Sequence, residues 1–98
     1  MFFLGNLFSS GPKVDLKELV ENGALLLDVR TKSEYVSGHA KNSKNIPLDA
    51  LGNALSKIDK EQNIVVICAT GMRSASAVRL MKRNGFINCH NGGSWVKF

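Results

Sequence analysis

The sequence has little cysteine and little proline, and it contains no long hydrophobic run. Two Cys and two Pro among 98 residues exclude a disulfide-rich secreted scaffold and a proline-rich low-complexity chain. No stretch approaches the roughly 18 apolar residues that a membrane-spanning helix needs. The first residues, M-F-F-L-G-N-L-F, are apolar, but they lack the positive region and cleavage site of a secretory signal. We therefore expect a cytoplasmic domain without a membrane span.

The charge of the chain is moderately positive. Thirteen Lys and Arg against eight Asp and Glu give a formal net charge of +5. This balance favours anionic partners such as small oxyanions or acidic proteins. The basic residues are dispersed, with the densest group at Arg73, Arg79, Lys82 and Arg83, and aromatic residues are not interleaved with them. Nucleic-acid binding is therefore not expected.

A cluster of turn-forming residues, Ser9-Ser10-Gly11-Pro12, divides the chain into two parts. Residues 1–12 form an apolar segment that we expect to pack on the rest of the protein. Residues 13–98 suffice for one domain with a hydrophobic core. The composition, 44% hydrophobic and 21% charged, is that of an ordinary globular protein. We predict a single, monomeric domain.

Helical and extended segments alternate along this domain. Asp15 with Glu18 indicates a helix start, and the apolar runs at 24–29 and 64–68 are typical of parallel strands buried on both faces. The predicted elements are a helix at 16–21, a strand at 24–29, a short helix at 34–37, an extended piece at 46–48, a helix from 49 or 51 to 58, a strand at 64–68, a helix at 74–84 and a strand at 86–90. This order indicates an α/β fold with a mainly parallel sheet covered on both faces.

A cysteine ends the clearest predicted strand and is followed at once by a short loop and a helix. The segment reads Cys68-Ala69-Thr70-Gly71-Met72-Arg73-Ser74. The first N–H groups of a helix lack partners within the helix, and a loop folded over them aims several amides at one point. A sulfur held there is stabilised as a thiolate. Gly71 permits an unusual backbone conformation, and Arg73 supplies positive charge for an oxyanion. The alternative is an inert Cys buried at a strand end.

Three blocks of this sequence, in their order and spacing, resemble the rhodanese-like domains from about Val14 to Trp95. The blocks are Asp28-Val29-Arg30 with Glu34-Tyr35, Gly38-His39 and Asn45-Ile46-Pro47; the loop from Cys68 to Ser74; and Gly85-Phe86 with Asn91-Gly92-Gly93-Ser94-Trp95. The resemblance implies a three-layer fold with a five-stranded, mainly parallel sheet flanked by helices on both faces. It implies no metal and no organic cofactor.

The same resemblance implies a thiosulfate sulfurtransferase of the rhodanese type. Cys68 would take a sulfane sulfur from a donor such as thiosulfate or a protein persulfide and become a persulfide. It would then pass the sulfur to cyanide or to a thiol. Substrate binding is assigned by the resemblance to the loop residues Ala69, Thr70, Gly71, Met72 and Arg73. A protein that donates or accepts sulfur is a further expected partner.

The sequence departs from the family pattern in three places. The family often has a basic residue directly after the Cys, where this chain has Ala69. Arg73 is then the only cation of the loop, so weak thiosulfate binding is expected. The family's apolar-x-Gly-Ala stretch is replaced after His39, where Asn42 can still adopt a left-handed turn. Three residues follow Trp95, where the family usually has its last helix.

The remaining polar side chains are interpreted as structural. Arg30 and Glu34 are four residues apart and are expected to pair across a helical turn, and Asp28 is expected to cap a strand end. We expect His39 to act in a turn rather than as a base for Cys68.

Cys89 and Trp95 are interpreted as packing residues. We expect Cys89 to be a small core residue rather than the partner of Cys68 in a disulfide. The spacing of Cys68, Cys89 and His90 matches no familiar metal site. Trp95 is expected to anchor the end of the domain.

Two other function classes stay open. A Cys-dependent phosphatase or arsenate reductase needs five residues between its Cys and Arg, whereas four separate Cys68 from Arg73. A sulfur-relay or regulatory module would dock on another protein without turnover, and a slow relay is compatible with an intact Cys68 loop.

Overall fold

The computed structural model describes residues 14–98. The apolar segment expected at residues 1–12 lies outside the described residues. The helices are α1 (Leu16–Glu21), α2 (Lys32–Ser37), α3 (Leu48–Ala54) and α4 (Met72–Arg83), with 3-10 turns at Leu55–Lys57 and Trp95–Lys97. The strands are β1 (Leu25–Asp28), β2 (Lys44–Asn45), β3 (Ile64–Cys68) and β4 (Cys89–Ser94). Within residues 14–98 no helix is long and apolar enough to cross a membrane.

The four strands form one parallel sheet in the order β2-β1-β3-β4. The expected parallel α/β architecture is therefore confirmed. The count of five strands is wrong for the described residues. It came only from the resemblance, whereas the apolar and extended runs in this part of the sequence amount to four.

Each face of the sheet has its own apolar cluster, which explains why the central strands show no polar alternation. Leu27 and Val66 pack in one cluster, beneath α3 and α4. Their chain neighbours Leu26 and Val65 pack in the other, with α1 and Trp95. Because successive strand residues point to opposite faces, both must be apolar when both faces are covered.

Most element boundaries differ from the predicted ones by one to four residues, and three of the shifts have a clear local setting. The extended piece lies at Lys44–Asn45 rather than 46–48, because Pro47 immediately precedes α3. Helix α4 begins at Met72, two residues before the expected start, after a left-handed Gly71. The last strand begins at Cys89 rather than 86.

The shift of the last strand follows from how α4 ends. The N–H of Phe86 donates to the carbonyl of Met81 at 3.0 Å, and Gly85 has a left-handed backbone. This hydrogen bond is typical of a helix C-terminal motif. Phe86 therefore belongs to the helix end, and the chain becomes extended only three residues later.

Candidate active site around Cys68

The loop that follows β3 is short because Gly71 reverses the chain. Gly71 has φ +105°, a conformation that other residues rarely adopt. Its carbonyl accepts the first helical hydrogen bond of α4, from Ala75 N–H at 3.0 Å. The loop therefore places the start of α4 directly against the end of the sheet. This is the edge at which parallel α/β proteins bind ligands.

The Cys68 sulfur accepts hydrogen bonds from the loop and from α4. Gly71 N–H lies 2.9 Å from Sγ and Ser74 N–H lies 3.3 Å from it. The Ser74 hydroxyl is 3.4 Å from the same sulfur. Burial raises the pKa of the Cys68 thiol, but hydrogen bonds from Ser74, Gly71 and Thr70 outweigh it, so the pKa lies below its ordinary value. The site therefore favours the thiolate, the nucleophilic form of cysteine.

Asn91, on β4, holds both residues that contact the sulfur. Its Oδ1 accepts a hydrogen bond from the Ser74 hydroxyl at 2.6 Å, and its Nδ2 donates to the Gly71 carbonyl at 3.0 Å. Gly93 N–H donates to the same Oδ1 at 2.9 Å. The sequence analysis did not assign this role to Asn91. The only available signal was its presence in the third block of the resemblance.

Arg73 does not extend freely over the site. Its guanidinium makes a two-pronged ion pair with Glu34, with Nη1–Oε1 at 2.7 Å and Nη2–Oε2 at 3.0 Å. The hydrogen bonds from Arg73 and from the backbone of Thr31 lower the pKa of Glu34 to about 2. Arg73, which the sequence suggested as the cation that binds an oxyanion, is therefore already paired with the Glu34 carboxylate of α2.

The expected pair between the side chains of Arg30 and Glu34 is wrong. Arg30 instead pairs with the buried Asp28, at 2.7 Å between Nη2 and Oδ2. It reaches α2 only through carbonyls, those of Glu34 at 3.3 Å and Gly38 at 2.8 Å. Arg30 pairs with Asp28 because Asp28 is only two residues away and wholly buried, and an unpaired charge there would be unfavourable.

Arg30 also lies over the ring of Trp95, 4.4 Å from its centroid. Trp95 packs against the second apolar cluster, as expected of an anchor. The Asp28–Arg30–Trp95 contacts fasten α2 to the sheet, and they place Glu34 beside the loop.

His39 lies at the end of α2 and contacts Tyr35. Its Nδ1 is 2.8 Å from the Tyr35 carbonyl, and the two rings stack with centroids 3.9 Å apart. No hydrogen bond joins it to Cys68 among the described residues. This arrangement agrees with a role in the turn.

Cys89 is a buried free thiol in the core, as predicted. It is paired in register with Ile64, at the start of β3, whereas Cys68 ends that strand. Four residues of strand separate the two levels, about 13 Å, which is too far for a disulfide. Residues 14–98 contain no group of three His, Cys, Asp or Glu placed to hold a metal.

Two cavities border the ion pair between Arg73 and Glu34. One, of about 330 Å³, has Glu34, Arg30 and Trp95 in its wall. The other, of about 420 Å³, has Arg73, with Pro47 and other residues that follow β1 and β2. A cavity of about 500 Å³ elsewhere is lined by Gly23, Leu25 and others but by no residue of the Cys68 loop.

Comparisons with known proteins place this fold in a family. The family model for the rhodanese-like domain matches residues 13–98. The chain is 37% identical over 86 residues to an adenylyltransferase and sulfurtransferase, uba4, from Ogataea parapolymorpha, covering 86% of this chain and 22% of that protein. It is 31% identical over 70 residues to the thiosulfate sulfurtransferase GlpE of Actinobacillus pleuropneumoniae, covering 70% of this chain and 65% of that protein.

Solved structures give the same result. The human single-domain sulfurtransferase TSTD1 superposes with a TM-score of 0.75 at 27% identity, covering 84% of this chain and 89% of that one. Among the curated relatives, the chain spans from 14% to 65% of their length.

Proposed function

The chain belongs to the rhodanese-like domain family, and from that premise we propose that it is a sulfurtransferase in which Cys68 carries sulfane sulfur as a persulfide. The donor is thiosulfate or a protein persulfide, and the acceptor is cyanide or a thiol. Cys68 is the catalytic residue, and the backbone from Ala69 to Arg73 binds the transferred sulfur and its donor.

One observation carries this proposal: the Cys68 sulfur accepts hydrogen bonds from backbone N–H groups at the start of α4, with the Ser74 hydroxyl beside it. Two backbone amides and one hydroxyl lie within 3.4 Å of Sγ. Donors arranged around a sulfur stabilise its anion, whether thiolate or persulfide. A cysteine that only fills space in the core does not need such an arrangement of hydrogen-bond donors.

The chemistry has two steps. The Cys68 thiolate attacks the outer sulfur of the donor, a new S–S bond forms at Sγ, and the donor's own bond to that sulfur breaks. Sulfite or a thiolate leaves with the bonding electrons, so Cys68 is oxidised as the donor is reduced. A cyanide or thiolate acceptor then attacks the outer sulfur, and Cys68 leaves as a thiolate. The low pKa of Cys68 supports both attack and departure.

The size of the loop supports sulfur rather than phosphate as the transferred group. Only four residues separate Cys68 from Arg73, and the Arg73 guanidinium is bound to Glu34. Phosphoryl recognition uses a free, planar guanidinium.

The proposal includes a cytoplasmic location and a partner protein that donates or accepts sulfur. Cys68 and Cys89 are both free thiols, as persulfide chemistry in a reducing compartment requires. A protein donor or acceptor is proposed because a relative from Bacillus subtilis (strain 168), 35% identical over 83 residues, is named a putative sulfur carrier protein, YrkF.

Mass spectrometry of the intact protein tests the proposal. Reduced protein is incubated with thiosulfate and, separately, with a persulfidated cysteine desulfurase. We expect the mass to rise by one sulfur atom and to return to its starting value when cyanide is added. Cys68→Ala should abolish the gain. Cys89→Ala, the matched change at the buried thiol of β4, should retain it. A gain that survives Cys68→Ala, or no gain from either donor, would contradict the proposal.

A further inference from the structure

The charge that the Cys68 loop offers to a donor depends on Arg73. Between Ala69 and Ser74 the sequence contains no other basic residue. The two-pronged contact with Glu34 occupies both terminal nitrogens of this guanidinium. The two side chains are about one third exposed, 35% and 38%, so an anion in solution can reach the pair.

The structure holds Glu34 in place for this contact. Its Oε1 also accepts hydrogen bonds from the Thr31 N–H at 3.0 Å and the Thr31 hydroxyl at 3.1 Å. In return, the Thr31 side-chain oxygen accepts a hydrogen bond from the Glu34 N–H at 3.2 Å. These reciprocal bonds form a capping box at the start of α2. Because the pKa of Glu34 is about 2, the carboxylate is ionised at neutral pH. Arg73 and Glu34 therefore present a net charge of zero to the site.

We propose that Glu34 is a specificity-determining residue: by neutralising Arg73 it directs Cys68 toward persulfide donors and away from the thiosulfate dianion. The inference rests on the proposed sulfurtransferase function. Glu34, a side chain of α2, would then determine which of two chemical classes of sulfur donor reacts faster with Cys68.

The charges of the two reactions explain the choice. The Cys68 thiolate and thiosulfate together carry three negative charges, which the persulfide anion and departing sulfite still carry afterwards. The Cys68 thiolate and a neutral hydropersulfide, RS–SH, together carry one negative charge. After the reaction that charge is on the departing thiolate RS⁻, and Cys68 is a protonated persulfide. Without a free cation, the first encounter is opposed by repulsion and the second is not.

The test compares second-order rates of sulfur loading on Cys68 from thiosulfate and from cysteine hydropersulfide. In the wild type we expect the hydropersulfide to react at least about tenfold faster. Glu34→Gln keeps an oxygen for the capping box but removes the charge. It should raise the thiosulfate rate roughly tenfold and change the hydropersulfide rate by less than about twofold.

Two further variants make the test specific. Glu61→Gln removes the same charge from the loop before β3, at the opposite end of that strand, and should leave both rates unchanged. Ala69→Lys adds a cation to the loop while the Arg73–Glu34 pair stays intact, and it should also raise the thiosulfate rate. Ala69→Lys replaces Glu34→Gln as the test variant if Glu34→Gln unfolds the protein.

An unchanged thiosulfate rate in folded Glu34→Gln would overturn the inference, as would an equal rise in Glu61→Gln. If Glu34→Gln does not fold, an unchanged thiosulfate rate in Ala69→Lys would overturn it. A wild-type protein that loads sulfur from neither donor would instead contradict the proposed function. The two failures are therefore distinguishable.

Discussion

Cys68 and Cys89 show how hydrogen-bond donors, rather than burial, determine the state of a thiol in this protein. The two residues are almost equally buried, at 1% and 2% exposure. Burial raises the pKa of Cys89. It acts in the same direction on Cys68, but the donors from Ser74, Gly71 and Thr70 bring that pKa below its ordinary value. Cys89 instead lies near carbonyl oxygens, those of Phe86 and Val78, which stabilise no anion.

The Ser74 hydroxyl lies 3.4 Å from the Cys68 sulfur. Its one proton is donated to Asn91 Oδ1 and can turn to the sulfur when Cys68 ionises, so removing the hydroxyl should weaken the thiolate. We expect Ser74→Ala to raise the pKa of Cys68 and to slow alkylation by iodoacetamide at neutral pH by about tenfold, since hydrogen bonds to charged groups are the stronger ones. The pH profile of alkylation measures both effects. Ser76→Ala is the control, because the Ser76 hydroxyl contacts only Arg79 among the described hydrogen bonds. An unchanged profile in Ser74→Ala would refute the role.

At the scale of elements, β4 depends on Gly92, which lies beyond the last strand predicted from the sequence, at 86–90. The register slips between Val66 and Ile67, so that Gly92 is inserted as a bulge. A Cβ on Gly92 would lie 2.7 Å from a Val65 methyl and 2.9 Å from an Ile67 methyl. The bulge lies directly after Asn91, whose side chain reaches the Cys68 loop.

Gly92→Ala should therefore destabilise the domain by about 1–3 kcal/mol, the usual result of overfilling a close-packed core. Gly52→Ala is the matched control: a Cβ at Gly52, on α3, meets nothing within 4 Å. That substitution should stabilise the domain by about 0.5–1 kcal/mol. Denaturant unfolding measures both free energies. Equal stability of Gly92→Ala and the wild type would contradict the close contact.

Sequence reasoning succeeded where the cause is local. The strand ending at Cys68, the left-handed Gly71 and the helix after it are neighbours in the chain, so their pattern could be interpreted directly. The contacts between Arg73 and Glu34 and between Asn91 and Ser74 join residues 39 and 17 positions apart. Such pairs depend on how elements pack, which periodicity does not reveal. The Arg30–Glu34 prediction failed because the i, i+4 rule describes an exposed helix, whereas Arg30 precedes α2 and is buried.

For the whole molecule, the Arg73–Glu34 pair links the stability of the fold to pH. The pKa of Glu34 falls from 4.5 to about 2 on folding. A carboxylate with a lowered pKa stabilises the folded state above its unfolded pKa, and this contribution is lost as the pH falls through the folded pKa. The pair bridges α2 and α4, so it contributes to the association of two elements that flank the candidate active site.

Glu34→Gln should therefore lower Tm at pH 6, and the difference from the wild type should shrink as the pH falls from about 4.5 to about 2. Thermal unfolding followed by circular dichroism at several pH values measures it. Glu61→Gln, which has no ion pair within residues 14–98, should show no such convergence. A Tm difference that stayed constant down to pH 2 would be inconsistent with an ionised pair.

The separation of Cys68 from Cys89 has a consequence for how long a loaded sulfur survives. These are the only two cysteines of the sequence, and they lie about 13 Å apart along neighbouring strands. On the proposed function, a sulfur carried by Cys68 therefore has no resolving thiol within reach among residues 14–98. Its residence time is governed by encounters with external thiols and lengthens in proportion as they are diluted. On the proposed function, the sulfur therefore stays on Cys68 until another molecule removes it.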